Sequence, residues 1–189
     1  FQGGFLQTTS YRFRPDAVFL YSLAQGGLDY ALVAVETRTH ESSQRSGIPL
    51  SEFGYNRLDR AQGKIIKGEP IHIIHHPESQ PRHVSLQNNR LLQLLDDWLH
   101  YETDTATGSS GAPLYNRYWE VVGLHHGESQ KRDGQDKLIA NEGARISRVI
   151  ADIERQVQAP EPDASGRLTP EGRILVAKLL DPKQPDLPL

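Results

Sequence analysis

The chain has 189 residues, a formal charge of −3 from 21 Lys and Arg against 24 Asp and Glu, and 37% hydrophobic residues. That length fits one domain or a compact pair able to bury roughly 70% of the unfolded surface, and the near-balanced charge leaves no footprint for nucleic acid or an anionic membrane. No apolar run approaches about 18 residues, so no bilayer-spanning helix is expected. The absence of cysteine excludes disulfides, a thiol nucleophile and cysteine-bound metal, without fixing the compartment.

Short alternating or apolar runs dominate the chain. Those at 11–14, 17–20, 30–35, 71–74, 83–86, 112–115, 119–124 and 138–140 read as strands. They are bounded by turn chemistry at Gly26-Gly27, Asn88-Asn89, 108–111 and Asp133-Gly134, a spacing that predicts an antiparallel sandwich or barrel. Between them, Leu91, Leu92, Leu94, Leu95, Trp98 and Leu99 fit one face of a helix with Asp96 and Asp97 outward. Ile146, Val149, Ile150, Ile153 and Val157 form a second stripe, with Ser147 as its cap. Residues 158–168 read as a linker. Thr169-Pro170-Glu171 then opens a second short helix with proline at its first position, and 169–189 closes in a proline-rich tail that is a possible junction to a further domain.

The sharpest motif is Gly108-Ser109-Ser110-Gly111-Ala112-Pro113. A serine nucleophile needs an exposed hydroxyl on a tight turn, with backbone N–H groups aimed at the developing oxyanion. The glycines beside the serine pair permit such a turn, although a bare Gly-x-Ser-Gly is more often an ordinary hairpin loop. Two further segments give it context. Asp29 stands in Gly27-Leu28-Asp29-Tyr30-Ala31-Leu32, just before an apolar strand, where an acid either caps a turn or orients a catalytic imidazole. Val121-Val122-Gly123-Leu124-His125-His126-Gly127 follows Ser110 by about a dozen residues.

Together with Ile71-His72-Ile73-Ile74-His75-His76-Pro77 and Leu99-His100-Tyr101-Glu102-Thr103-Asp104-Thr105, these motifs resemble the trypsin-like, chymotrypsin-fold serine peptidases over about residues 11–157. The branch they are most similar to is the bacterial one of the glutamyl endopeptidases. The resemblance implies an all-β, chymotrypsin-like double β-barrel, its first barrel incomplete in this chain, with a C-terminal helix and a short helical tail. It makes 1–157 the peptidase domain and turns 91–101 from helix to strand. Ser110 becomes the nucleophile, Asp29 the triad acid, and the N–H groups of Gly108 and Ser110 the oxyanion hole. Ser109 falls where pancreatic-type enzymes carry the Asp that receives a freed N-terminus. For the substrate pocket the cues oppose each other. His125 and Thr105 match positions that hold an acidic P1 side chain, whereas Asp104 falls where trypsin-type enzymes place the carboxylate selecting Lys or Arg.

The family's catalytic histidine precedes its acid, yet only 28 residues precede Asp29 and all eight histidines (His40, His72, His75, His76, His83, His100, His125, His126) follow it. Without a base, a serine is a poor nucleophile at neutral pH. The chain also lacks Met and starts at Phe1, so the expectation is that the base lies on an N-terminal segment or fragment outside residues 1–189. The expected partners are thus a polypeptide substrate, that segment and any further domains of a larger protein, with no nucleic acid and no membrane. Neither cofactor nor metal is expected: on a strand, His75 points away from His72 and His76, so that cluster does not converge as a ligand set. The runner-up reading is a protease-fold module that binds polypeptide without cutting it.

Overall fold

The computed structural model describes residues 9–40, 46–133, 136–161, 166–181 and 183, without the side chains of 130–139. Contacts divide the chain into two units, one of residues 1–21, 31–56 and 156–189 and the other of 22–30 and 57–155.

The first unit is built on a three-stranded sheet ordered β10-β1-β2, from β1 (Phe13–Ser22), β2 (Tyr30–Val35) and β10 (Arg167–Leu168). The stretch read as a linker therefore ends in a strand: Val18 pairs with Leu168 and Phe19 with Arg167. Two isolated residues carry no periodic signal, and only their partner in β1 makes them a strand. Helix α2 (Pro170–Leu179) starts as its sequence dictates, with the Thr169 hydroxyl accepting from the Gly172 N–H and Pro170 in the first turn. Gly172 lets this helix touch β1, since a Cβ there would lie 2.3 Å from the Ala17 carbonyl oxygen. Arg173 donates to the carbonyls of Val157, Ala159 and Pro160, tying α2 to the chain at 157–160.

The second unit holds a seven-stranded antiparallel sheet ordered β4-β3-β7-β8-β9-β6-β5. Its strands are β3 (His72–His75), β4 (His83–Ser85), β5 (Arg90–Leu94), β6 (Trp98–Glu102), β7 (Pro113–Tyr115), β8 (Val121–Asp133) and β9 (Asp136–Arg145). Ile65, Ile71, Ile73, Leu91, Leu99, Tyr101, Leu114 and Val122 form one buried cluster, the inward half of the alternation that marks these runs. Leu99 and Leu114 reach β8 and β9 because Gly123 and Gly143 have no side chain in the way.

Residues 91–101 are not one strand, and the helical period there is misleading. Asp96-Asp97 is a two-residue hairpin loop: Leu94 pairs with Leu99, and the Leu95 N–H donates to the Trp98 carbonyl. Arg145 holds the carbonyls of Leu95 and Asp96, and Arg148 pairs with both aspartates. The acids read as outward-facing thus make the bend. Helix α1 (Ile146–Gln158) buries Ile146, Val149, Ile150 and Ile153. It opens at Ile146, so Ser147 lies inside its first turn and not at its cap.

Candidate active site

All residues of the serine motif, with Asp29 and His125, fall in the second unit. Gly108 and Gly111 both take positive φ, 93° and 84°, which a residue with a Cβ adopts only under strain. Between them Ser109 is buried and Ser110 exposed, so the tight turn presents one hydroxyl and hides the other. The turn is closed by Ser109 N–H to the Ala106 carbonyl (3.1 Å) and Ala112 N–H to the Ser109 carbonyl (3.1 Å). Among the described residues, the N–H groups of Gly108 and Ser110 donate to no acceptor. This is the form that oxyanion stabilisation requires: donors fixed by the fold and left for a ligand.

Strand β8 anchors the turn. Gly111 N–H donates to the His125 carbonyl (2.7 Å), and His125 N–H to the Ala112 carbonyl (2.8 Å). The Ser110 hydroxyl donates to the His126 carbonyl at 3.2 Å. Opposite β9, His125 faces Gly143 and Gly127 faces Glu142, so His126 is the extra residue of a bulge. A bulge frees a side chain from strict alternation. Here it allows two adjacent histidines to do different things.

His126 turns to Asp29. Its Nδ1–H donates to Asp29 Oδ2 at 2.6 Å, its Nε2 lies 3.5 Å from Glu142 Oε1, and its ring packs at a tilt against Trp98. Glu142 in turn accepts from His100 Nε2 at 2.7 Å. Asp29 sits in left-handed backbone (φ 48°) with its N–H on the Leu23 carbonyl, and its side chain is 44% exposed. Asp29 and Ser110 are therefore joined through one residue, His126, by its ring on one side and its carbonyl on the other. No imidazole among the described residues bonds the Ser110 hydroxyl.

His125 points the other way and is buried. The Tyr101 hydroxyl meets its Nδ1 at 2.6 Å. Burial raises the Tyr101 pKa well above its ordinary value, so this phenol keeps its proton and donates it. Burial first, then the neighbouring His126 and His75, lower the His125 pKa to about 4. His125 is thus neutral at pH 7, and with Nδ1 accepting from Tyr101 its proton sits on Nε2, which no described residue takes. Thr105 donates to Asn141 Oδ1 (2.6 Å), and Asn141 Nδ2–H to the Thr103 carbonyl (2.8 Å). Asp104 is exposed, and its carbonyl is held by the Ser85 hydroxyl. Its side chain has no hydrogen bond or ion pair with His125. With Asn88, Tyr101, Glu102, Thr103 and Asn141 it lines a cavity of about 410 Å³.

Tyr101, Asn141, Glu142 and His126 did not stand out in the sequence as site residues. The Leu99-to-Thr105 motif contains Tyr101 and the His125-His126 pair contains His126, but neither pattern reveals the bulge that separates the two rings. The histidine cluster at 72–76 does not converge. His72 stacks on Trp119 and meets Asn89, His75 is buried, and no group of metal-binding residues occurs among the described residues.

A trypsin-like peptidase domain family matches residues 4–124, more than half of the chain. The chain is 35% identical over 192 residues to the uncharacterized protein y4fB of Sinorhizobium fredii, covering 84% of this chain and 28% of that protein. It therefore spans less than a third of that relative's length. In structure it is similar to a Glu endopeptidase solved in complex with MPD, with a TM-score of 0.52 at 16% identity over 77% of this chain and 62% of that one. It is also similar to the active form of the Rv3671c protease from M. tuberculosis, with a TM-score of 0.49 at 15% identity over 84% and 61% of the two chains. The first likeness shows the fold: the seven-stranded half-barrel sheet with its helices is consistent with a fragment of a chymotrypsin-like fold.

Proposed function

The chain belongs to the trypsin-like peptidase domain family, and on that footing we propose that it hydrolyses polypeptides through an acyl-enzyme on Ser110. Asp29 orients the general base, a histidine supplied from outside residues 1–189, and the N–H groups of Gly108 and Ser110 hold the tetrahedral oxyanion. The observation that carries this reading is the turn itself: an exposed Ser110 hydroxyl between two positive-φ glycines, with two unclaimed N–H donors beside it and a link through His126 to Asp29.

Substrate choice follows His125. A neutral imidazole with a free Nε2–H donates to a P1 carboxylate, and the charge brought by that carboxylate favours protonation of the ring as it binds. In this reading Thr105, bonded to Asn141, stands on the wall of the same pocket. The preference we propose is for acidic P1, with Asp104 turned to solvent. A second reading, a binding module that holds peptide in the same cleft, is favoured by one observation: Asp29 is already engaged by His126, and Ser110 has no imidazole partner among the described residues.

Residues 1–189 alone are expected to be inactive, so hydrolysis of a P1-varied peptide library by the protein together with the polypeptide that supplies the base, beside Ser110→Ala, tests both. Cleavage after Glu or Asp that disappears in Ser110→Ala supports the enzyme. Binding of the same peptides with no cleavage supports the module, and cleavage after Lys or Arg makes Asp104 the selector in place of His125.

A further inference from the structure

One buried histidine takes no part in the chemistry above. His75, the last residue of β3, is 4% exposed. Its Nδ1 lies 2.7 Å from the hydroxyl of Ser109, the residue before Ser110, and its Nε2 lies 3.2 Å from the hydroxyl of Ser85 on β4. Both serines have a second partner: Ser109 Oγ is 2.7 Å from the Ala106 carbonyl, and Ser85 Oγ is 2.8 Å from the Asp104 carbonyl.

Counting protons assigns the network. Carbonyls only accept and each serine has one proton, so two of the four contacts use the serine protons on Ala106 and Asp104. The other two need protons from His75, and a neutral imidazole has one. The three short contacts are all satisfied when that proton is on Nδ1 and donates to Ser109, leaving only the 3.2 Å contact to Ser85 without a hydrogen. The Nε2–H tautomer would instead force Ser109 to choose between His75 and Ala106. The imidazole is neutral because burial lowers its pKa, helped by His83 and His76. His83 faces it from β4 with ring centroids 6.4 Å apart, and His125 senses it from β8. None of these neighbours is a carboxylate.

The same strand exit braces the turn at a second point. Glu78 N–H donates to the Thr107 carbonyl at 2.7 Å, and Gly108 is so close that a Cβ would come 3.3 Å from the His76 carbonyl. We propose that His75 is a positioning residue for the 106–111 turn, donating from Nδ1–H to Ser109 so that Ser109 in turn locks Ala106 and fixes the N–H groups of Gly108 and Ser110. This rests on Ser110 being the nucleophile. The consequence is a turn set from inside the folded unit, by a buried neutral imidazole.

The test has one arm that needs no activity. Long-range ¹H–¹⁵N NMR of the histidine rings in the full chain, with His75 assigned from His75→Asn, reads the tautomer at pH 7. A proton on Nδ1 supports the proposal, and a proton on Nε2 overturns it. In the second arm, in material that contains the polypeptide supplying the base, fluorophosphonate labelling of Ser110 is timed in three proteins whose thermal midpoints are also measured. Loss of one neutral hydrogen bond slows labelling about fivefold to tenfold in His75→Leu. His75→Asn, whose amide can donate at the Nδ1 position, restores the wild-type rate. Equal slowing in both variants, at unchanged thermal midpoints, overturns positioning through this bond. Failure of the nucleophile reading shows separately, as wild-type protein that is unlabelled at Ser110 while the tautomer arm still gives its own answer.

Discussion

Replacing His125 with Asn should flatten the acid side of the stability curve. In the folded chain burial holds the His125 pKa at about 4, against 6.5 for the free imidazole. As pH falls below 6.5 the unfolded chain takes up a proton there and the folded chain does not, so the contribution is complete above pH 6.5 and drains away toward pH 4. At about 1.4 kcal/mol per tenfold, the difference is worth about 3 kcal/mol. For a chain of this size that is a fall in Tm of about 6–12 °C. His75 is shifted in the same direction, so some slope remains after the substitution. The introduced asparagine still offers an amide to the Tyr101 hydroxyl but does not titrate. Urea unfolding followed by tryptophan fluorescence, at steps from about pH 7.5 down to about pH 4.5 across the window where the imidazole titrates, reads the effect in both proteins. Equal losses of stability over that range in wild type and His125→Asn would mean that the buried imidazole has no part in the acid limb.

Other substitutions probe the site and its support. Ser110→Ala removes an exposed hydroxyl with one long bond to the His126 carbonyl, so Tm should move by no more than a few degrees; severe unfolding in a thermal melt would mark the turn as structural. Asp29→Asn should lower kcat about 10⁴-fold when the base is present, and near-normal peptide hydrolysis would remove Asp29 from the triad. Gly172→Ala puts a Cβ 2.3 Å from the Ala17 carbonyl and should destabilise by about 1–3 kcal/mol, as overpacking does; an unchanged or raised Tm would contradict the close packing of α2 on β1.

Where local chemistry decides structure, the sequence was readable. Tyr30–Val35 is an apolar run that becomes β2 with the same bounds, Thr169-Pro170 caps α2, and the Gly/Ser run becomes the tight turn. What depends on a distant partner was not. Strands β8 and β9 extend well past the apolar runs at 119–124 and 138–140, because Gly127, Glu128 and Ser129 are held by ladder bonds to β9 that polarity does not reveal. The bend at Asp96-Asp97 is fixed by Arg145 and Arg148, far along the chain, while the leucines around it keep a helical spacing by coincidence. In the site, the serine and the acid were visible as motifs. The bulge that sends His126 to Asp29 and His125 to Tyr101 was not, since one extra residue in a ladder leaves no trace in composition.

Intact-mass spectrometry of the protein after fluorophosphonate treatment, beside Ser110→Ala, asks whether Ser110 is an activated nucleophile. An activated Ser110 gives a mass increase of one probe per chain that is lost in Ser110→Ala, in material that contains the polypeptide supplying the base. Labelling that persists in Ser110→Ala, or well-folded protein that stays unlabelled in the presence of that polypeptide, would remove Ser110 as the nucleophile.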